Sequence, residues 1–367
     1  MSAPPLPAEI LLLIFHAYFK ESRVVENYAA QALERLQTYV ALTQTSMLFK
    51  QLARDAFRRH ISFLTTRTSR LLPSRSTKSI FWVQDRDGWR GDSTLLGRLL
   101  QVAPGLQFLE AVDVKRRFRT SEDESSDEIV GPQEPPLYHL PQLTSVTLRG
   151  CDGPFAYHLL QSSSILTHLS LSISSCPPSN SYKSLLLPCL SDLELLAKVN
   201  DTVSFARETI VAPRLTTLSL VLEGCTDAIV HGITDVIEGV RCTVTCLQVV
   251  GRKAHDTILP IGDWIAMMER LKTCCLPYQL ASYIDSWPAM SRLCLLTSAV
   301  GNRWVHWERL LEDGRLRCGV VEVEDMWLVD GDAWKEVRSV RWNERMLVDS
   351  RVAFTKVCVV DGIMSRV

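Results

Sequence analysis

The first strong pattern in the chain is an almost unbroken apolar stretch over residues 6–19. Pro7 suits the first turn of a helix and Glu9 suits its positively charged end, so the stretch predicts a helix. Apolar residues recur on one side of it at helical spacing, at Leu6, Ile10, Ile14 and Ala17. Residues 11–13 and Phe15 add apolar surface on the other sides. A helix that is apolar nearly all round is buried on more than one side, so something must cover it.

Two further helices are predicted before residue 60. Apolar positions at helical spacing mark the second helix, at Leu33, Leu36, Val40 and Thr43. The third helix is predicted from Ser46, as its N-cap, to about His60. Its apolar positions are Phe49, Leu52, Ala53 and Ala56. Its basic residues, Lys50, Arg54, Arg58 and Arg59, predict a solvated helix end, because a phosphate-binding surface would need a broader basic stripe.

A six-residue pattern, Leu-x-x-Leu-x-Leu, recurs through the rest of the chain. Its copies, some with Val, Met or Cys replacing a leucine, begin at residues 143, 166, 190, 215, 244, 271 and 290. The intervals range from 19 residues (271 to 290) to 29 (215 to 244), and an earlier copy begins at Leu106. Each copy predicts a short strand followed by a return segment. Helical periodicity marks two return segments, at 156–160 and 229–240.

Alternation along these strands predicts which residues face inward. Leu169 and Leu171 are expected to face the core, and Ser170 and Ser219 to face solvent.

Residues 115–136 interrupt the repeats. They are acidic and proline-rich, with low hydrophobicity, and predict a disordered loop. Ser121 and Ser125 each precede an acidic residue by three positions, which makes them candidate phosphorylation sites. The alternative is an inert, solvated insertion.

Tryptophan is concentrated in the last quarter of the chain, at Trp304, Trp307, Trp327, Trp334 and Trp342. Further strands are predicted at 319–323, 337–342 and 352–360. Since a terminal repeat must close the core against water, this region is predicted to be a cap. The alternative is a tryptophan-rich binding surface.

Composition limits the classes of partner. Lysine plus arginine (40) and aspartate plus glutamate (41) nearly cancel, so net charge gives no reason to expect a nucleic acid or an anionic membrane as partner. The apolar run at residues 10–15 is much shorter than the roughly 20 residues that span a bilayer. The 11 scattered cysteines, without a secretory signal, predict reduced thiols and a cytoplasmic or nuclear location. A chain of 367 residues allows two or three domains.

The first helix resembles the start of an F-box, whose pattern opens Leu-Pro-x-Glu-Ile and continues to Ile-Phe. The matching residues are Leu6, Pro7, Glu9, Ile10, Ile14 and Phe15. Residues 45–53 resemble the end of that motif, with Thr45 where Val is usual, and residues 21–31 look like an insertion. The resemblance implies docking to the Skp-type adaptor of a cullin–RING ubiquitin ligase through Leu6, Pro7, Ile10, Ile14, Leu42 and Phe49. The alternative is that these side chains pack against one another or against the following domain.

The repeats resemble the degenerate leucine-rich-repeat-like region that often follows an F-box in fungal proteins. The family's Asn or Cys at the eighth residue after the first leucine is met only by Cys151, so coils of varied shape are expected. The resemblance implies an α/β fold in three parts. These are a three-helix F-box at 1–60, a connecting segment at 61–105 and an irregular solenoid at 106–367.

The sequence contains no glycine-rich phosphate loop, no Gly-x-Ser-x-Gly and no His-Glu-x-x-His. Neither Cys242 with Cys246 nor Cys274 with Cys275 has a second pair at zinc-ligand spacing. We therefore expect no enzyme activity, no metal and no cofactor. With the resemblance, this predicts a substrate-recognition subunit of an SCF-type ligase, whose repeats bind an unknown protein target. There are two alternatives. One is a repeat scaffold without a ubiquitin role, in which the N-terminal helices cap the solenoid. The other is an enzyme in the tryptophan-rich end.

Overall fold

The structure, a computed structural model, divides the chain into two compact units. The first unit is Met1–Ser22, Glu26–Leu190 and Glu208–Val211, and the second is Arg23–Val25, Ser191–Arg207 and Ala212–Val367. The residues that the structure describes are 6–20, 28–64, 73–83, 93–113, 138–176, 182–222, 226–251, 259–277, 280, 284, 290–297, 318–329, 352–360 and 363–366. The fold is α/β with mostly parallel strand pairing.

The helices within the described ranges are α1 (Ala8–Lys20), α2 (Tyr28–Thr45), α3 (Met47–Arg59), α4 (Ser93–Gln101), α5 (Gly153–Gln161), α6 (Asn200–Thr209), α7 (Asp227–Val240) and α8 (Ile261–Met267). The strands in the same ranges are β1 (His60–Leu64), β2 (Ser79–Val83), β3 (Phe108–Val112), β4 (Ser145–Asp152), β5 (His168–Ser175), β6 (Leu185–Leu186), β7 (Asp192–Ala197), β8 (Ile210–Val211), β9 (Thr217–Leu222), β10 (Cys246–Gly251), β11 (Thr273–Pro277), β12 (Met290–Thr297), β13 (Cys318–Val329), β14 (Val352–Val360) and β15 (Ile363–Arg366).

The three helices predicted before residue 60 are present as α1, α2 and α3. The carbonyl oxygen of Pro7 accepts hydrogen bonds from the N–H groups of Ile10 and Leu11, each at 3.1 Å, and this starts α1. The hydroxyl of Ser46 accepts from the N–H of Phe49 at 3.2 Å, so the predicted N-cap of α3 is confirmed. Local sequence signals thus set where α1 and α3 begin.

In the first unit, strands β1 to β5 pair in parallel and in chain order. The repeat copies that begin at 106, 143 and 166 form β3, β4 and β5. Their inward leucines and valines are fully buried, and α5 buries Phe155 and Leu159 in the same unit. The helix begins at Asp152, whose carboxylate accepts from the N–H of Phe155 at 2.9 Å. The short strands β6 and β8 pair separately.

Two details of this unit differ from what the repeat pattern indicates. Residues 61–105, predicted as a connecting segment, contain β2, α4 and most of β1. Ser170, expected to face solvent, is 3% exposed, so that prediction was wrong. The reason is that β5 is buried on both faces over residues 169–173, which removes the difference between inward and outward positions.

In the second unit, β7, β9, β10, β11, β12, β13 and β14 pair in parallel, and β15 pairs antiparallel with β14. The repeat copies from 190 to 290 form β7, β9, β10, β11 and β12. Burial alternates along β7 and β9, so one face of each strand is in the core and the other is partly exposed. Ser219 is half-buried on that outer face, and its hydroxyl bonds the side-chain oxygen of Gln248 on β10 at 3.3 Å.

Helices complete the second unit. The helix predicted over 229–240 is α7, capped by Thr226, whose hydroxyl accepts from the N–H of Ile229 at 3.4 Å. It packs closely on α6 at Gly232, where a Cβ atom would lie 2.7 Å from Cγ1 of Val203. Fully buried Trp264 of α8 donates from Nε1 to the hydroxyl of Thr234 at 2.9 Å.

Several sequence predictions concern the C-terminal region and the acidic loop. The strand predicted over 352–360 has the same bounds as β14, and the strand predicted over 319–323 lies within β13, which also contains Trp327. The remaining four tryptophans of the cluster, the strand predicted over 337–342, and the 115–136 loop with Ser121 and Ser125 lie outside the described residues. None of the helices in the described ranges combines the length and apolar character needed to cross a bilayer.

Candidate interaction surface

Helix α1 has two apolar faces with different environments. Its inner face is buried in the first unit: Phe15 meets Phe49 edge to face with ring centroids 5.6 Å apart, and Phe19 meets Phe57 in the same way at 5.2 Å. Its outer face is exposed, with exposed fractions of 56% for Leu6, 42% for Ile10, 63% for Leu13 and 49% for Ile14. At 100° per residue Ile10, Leu13 and Ile14 lie within about a third of the helix circumference, and Leu6 lies two residues before the helix begins. We call this set the α1 outer face.

The inner face is fixed by aromatic packing around α3. Phe57 is 1% exposed and also stacks on Tyr39 of α2, with centroids 4.5 Å apart. The hydroxyl of Tyr18 on α1 donates to Glu34 at 3.2 Å and lies 3.0 Å from that of Thr38, both on α2. These contacts hold the three helices together without using the α1 outer face.

The helices also pack on the sheet of the first unit. Arg35 of α2 is 5% exposed, and its guanidinium lies 5.1 Å from the centroid of the Phe81 ring on β2, a cation–π contact. The three-helix region is therefore part of the first unit's core, and its inner surface is already covered.

The structure places the six predicted adaptor-binding residues in two groups. Leu6, Pro7, Ile10 and Ile14 are exposed, whereas Leu42 of α2 and Phe49 of α3 are half-buried. The contact between Phe15 and Phe49 brings the first turn of α3 beside the middle of α1.

Sequence reasoning missed four exposed apolar residues in this region. Leu13 was assigned to another side of α1, although its spacing of three from Ile10 puts it on the same face. Val40 on α2 and Met47 and Leu48 on α3 are also exposed. Helical spacing from the predicted residues could have identified Leu13. The others lie near the junction of α2 and α3, for which the sequence carries no marker of exposure.

His16 lies at the seam between α1 and α3. Its ring packs edge to face on His60 with centroids 5.2 Å apart, and its Nε2 lies 4.0 Å from Oδ2 of Asp55. Neither ring nitrogen of His16 has a hydrogen-bond partner among the described residues, although both are buried. Burial lowers the pKa of His16, the Arg59 guanidinium lowers it further, and the Asp55 carboxylate opposes them. The neutral imidazole is therefore favoured at this seam.

The outer face of the second unit's sheet is a second surface. In register, Glu194, Ser219, Gln248 and Cys275 lie opposite one another on β7, β9, β10 and β11. Half-buried Leu196, Val221 and Val250 form an apolar row beside this polar row. Polar and apolar groups presented together in this way suit recognition of a protein segment.

The seven cysteines whose side chains the structure describes form no disulfide; they are Cys151, Cys176, Cys189, Cys242, Cys246, Cys274 and Cys275. Within the described ranges, no three His, Cys, Asp or Glu side chains come together in a way that could hold a metal ion.

No protein-family model matches the chain, and no curated protein gives a significant match to it. The function is therefore inferred from the geometry of these two surfaces.

Proposed function

We propose that the chain is the substrate-recognition subunit of a cullin–RING ubiquitin ligase of the SCF type. In this proposal α1, α2 and α3 form an F-box that docks a Skp-type adaptor, and an irregular leucine-rich-repeat solenoid behind it holds a protein target in the cytoplasm or nucleus. The observation that carries the proposal is the α1 outer face. Its four aliphatic side chains have exposed fractions of 42–63%, three of them on α1 and Leu6 just before it, while the opposite face of the helix is in the core.

Single exposed apolar side chains are ordinary on protein surfaces, but several on one helix face expose a continuous apolar strip. A stable protein interface needs an apolar centre that can be desolvated without leaving polar groups unpaired, and this strip contains none within its four side chains. A partner helix or groove laid on α1 would supply the missing cover.

The order of the strands supports the solenoid part of the proposal. Within each unit, most strands pair with the next repeat strand along the chain, as β4 does with β5 and as β9 does with β10. Stacked repeats produce this neighbour-to-neighbour order.

The proposed mechanism is proximity. The chain itself carries no reacting group in this scheme; it raises the effective concentration of the target's lysines near a conjugating enzyme that the partner subunits bring.

A second candidate is a repeat scaffold without a ubiquitin role. The observation in its favour is that α2 covers β2 through the contact of Arg35 with Phe81, so the helices also act as a cap on the sheet. A cap needs only the inner faces of the helices, whereas adaptor docking needs the α1 outer face.

Copurification distinguishes the two candidates. Full-length chain is expressed with a tagged Skp-type adaptor, alongside Ile10→Asp and Ile14→Asp. Val102→Asp is the matched control, because Val102 is 49% exposed at the end of α4, outside the three-helix region. We expect adaptor binding by the wild type and the control and its loss in both α1 variants, with unchanged thermal unfolding. Binding by all four proteins, or by none, would contradict the proposal.

A further inference from the structure

Helix α3 carries a second exposed stripe beside the α1 outer face. Its outward residues are Met47, Gln51, Arg54 and Arg58, all exposed and spaced at i, i+4, i+7 and i+11. At 1.5 Å per residue the stripe is about 16 Å long. This row of four side chains is apolar at its start, at Met47, and cationic at its end. We call its two cationic residues, Arg54 and Arg58, the basic stripe.

The two arginines of the basic stripe differ from their neighbour Arg59. Arg59 pairs with Asp55 at 3.5 Å, whereas Arg54 and Arg58 form no ion pair with any described residue. Like charges four residues apart on a helix repel each other, so this arrangement does not stabilise α3 by itself. Of the two arginines of the basic stripe, Arg58 lies in the last turn, where the helix dipole favours a cation, and Arg54 does not. Arg54 therefore takes part in neither of these two stabilising interactions within the described structure.

The basic stripe is next to the α1 outer face. The seam between the two is the contact of His16 on α1 with Asp55 on α3, with Nε2 and Oδ2 4.0 Å apart. On α3, Asp55 is one residue from Arg54 and lies on the side that faces α1. One partner that covers the α1 outer face would therefore extend over α3.

We propose that the basic stripe is the electrostatic part of the adaptor-docking surface, and that the adaptor presents carboxylates beside the apolar ridge that covers α1. This rests on the proposed function and adds the partner's charge pattern. Charges at the edge of an apolar interface act mainly on the association rate and on orientation. Glu9 is the one carboxylate among the exposed residues of α1.

An acidic protein fits these observations better than an anionic membrane does. A helix that lies in a bilayer interface carries cations on its own polar face. Here the cations are on α3, and the charged residues of α1 are Glu9 and Lys20. Moreover, the polar side of α1 is not free to meet lipid headgroups, because His16 and Tyr18 contact α3, β1 and α2.

The test measures binding of the full-length chain to a purified Skp-type adaptor by surface plasmon resonance, at about 50, 150 and 500 mM NaCl. The variant is Arg54→Glu with Arg58→Glu. The matched control is Arg214→Glu with Arg270→Glu, since both residues are exposed and belong to the second unit, whereas α3 belongs to the first. We expect the stripe variant to bind about tenfold more weakly at low salt, through slower association, and to show a flatter salt dependence than wild type and control.

Each other outcome overturns the inference in a distinguishable way. If the wild type binds the adaptor and the stripe variant binds equally well at every salt concentration, the basic stripe has no role in docking but the proposed function stands. If the wild type does not bind at all, both fail. Vesicles of phosphatidylserine and phosphatidylcholine are tested in parallel. The stripe would instead be assigned to lipid binding by a combination of results. The vesicles would capture the wild type and not the stripe variant, while both proteins bound the adaptor equally well.

Discussion

Phe15 and Phe49 pack edge to face with ring centroids 5.6 Å apart, and this contact lies on the inner of the two apolar faces of α1. Phe15 is 7% exposed and lies in the core. The residue before it, Ile14, points outward, 100° around the helix, and is 49% exposed. Neighbours in sequence therefore have different roles, one in stability and one on the surface proposed for docking.

The first prediction uses this pair. Phe15→Ala removes a buried ring and should destabilise the first unit by about 3–5 kcal/mol. Ile14→Ala, the matched control, should change stability by no more than about 0.5 kcal/mol. Amide hydrogen exchange of peptides from α1 and α3 measures both. Equal protection in the two variants would show that α1 is not anchored through Phe15.

The second prediction concerns His16 and pH. Its folded pKa is lowered from 6.5, so the unfolded chain binds the proton more readily than the folded one. Stability is therefore fully present above about pH 6.5 and is lost as the pH falls from there towards the folded pKa. His16→Phe removes the titrating group and should flatten the dependence of the urea midpoint on pH between about 7 and 5.

The control for this prediction is Ala17→Phe on α1, at the position after His16. Ala17 is exposed and has no ionisable group, so its replacement should leave the pH dependence as in the wild type. A steep pH dependence that persists in His16→Phe would assign the acid sensitivity to other groups.

The third prediction compares two glycines of α7. A Cβ atom on Gly232 would lie 2.7 Å from Cγ1 of Val203, so Gly232→Ala should destabilise the second unit by about 1–3 kcal/mol. Gly239 has nothing within 4 Å of such an atom, and Gly239→Ala should stabilise the helix by about 0.5–1 kcal/mol. Thermal unfolding by circular dichroism measures the two opposite shifts.

Relief of the clash provides the control. Adding Val203→Ala to Gly232→Ala should recover part of the loss, because the shorter side chain leaves room for the new methyl group. If the double variant loses as much stability as the two single variants together, the two effects are simply additive. The contact between α6 and α7 is then not the cause of the loss in Gly232→Ala.

The strands were the most predictable part of the fold. Each copy of the Leu-x-x-Leu-x-Leu pattern from 106 to 290 forms a strand, because its alternation matches a strand with one face in a core. Strand β2 was missed because Ile80, Phe81, Trp82 and Val83 are all buried, so both faces are covered and no alternation remains. Helix α6 was missed because the apolar residues at its centre, Val203, Phe205 and Ala206, are few and do not repeat over a full window.

The candidate surface was only partly predictable for a physical reason. Residues 6–19 are apolar on every side, so helical periodicity could show that α1 needs cover but not which face its own unit covers. That distinction depends on two contacts formed in three dimensions, of Phe15 with Phe49 and of Phe19 with Phe57. The exposure of Met47 at the junction of α2 and α3 depends on the same packing.

The last prediction separates target binding from adaptor docking. Val221 lies on the outer face of β9 and is half-buried, whereas the next residue along the chain towards the N-terminus, Leu220, is fully buried. Val221→Arg with Gln248→Arg should leave the fold and adaptor binding unchanged and remove the proteins captured through the sheet. Leu220→Arg should unfold the second unit, since it buries an unpaired charge.

Capture of undegraded targets is the readout for this prediction. Because Arg35 and Phe81 join the helices to the sheet, deleting residues 1–60 would expose core, and Ile10→Asp is the better way to uncouple the ligase. Proteins retained by Ile10→Asp, quantified by mass spectrometry, are compared with those retained when Val221→Arg and Gln248→Arg are added. An unchanged set of captured proteins would place target binding elsewhere on the chain. Loss of those proteins together with unchanged unfolding would assign target binding to the outer face of β9 and β10.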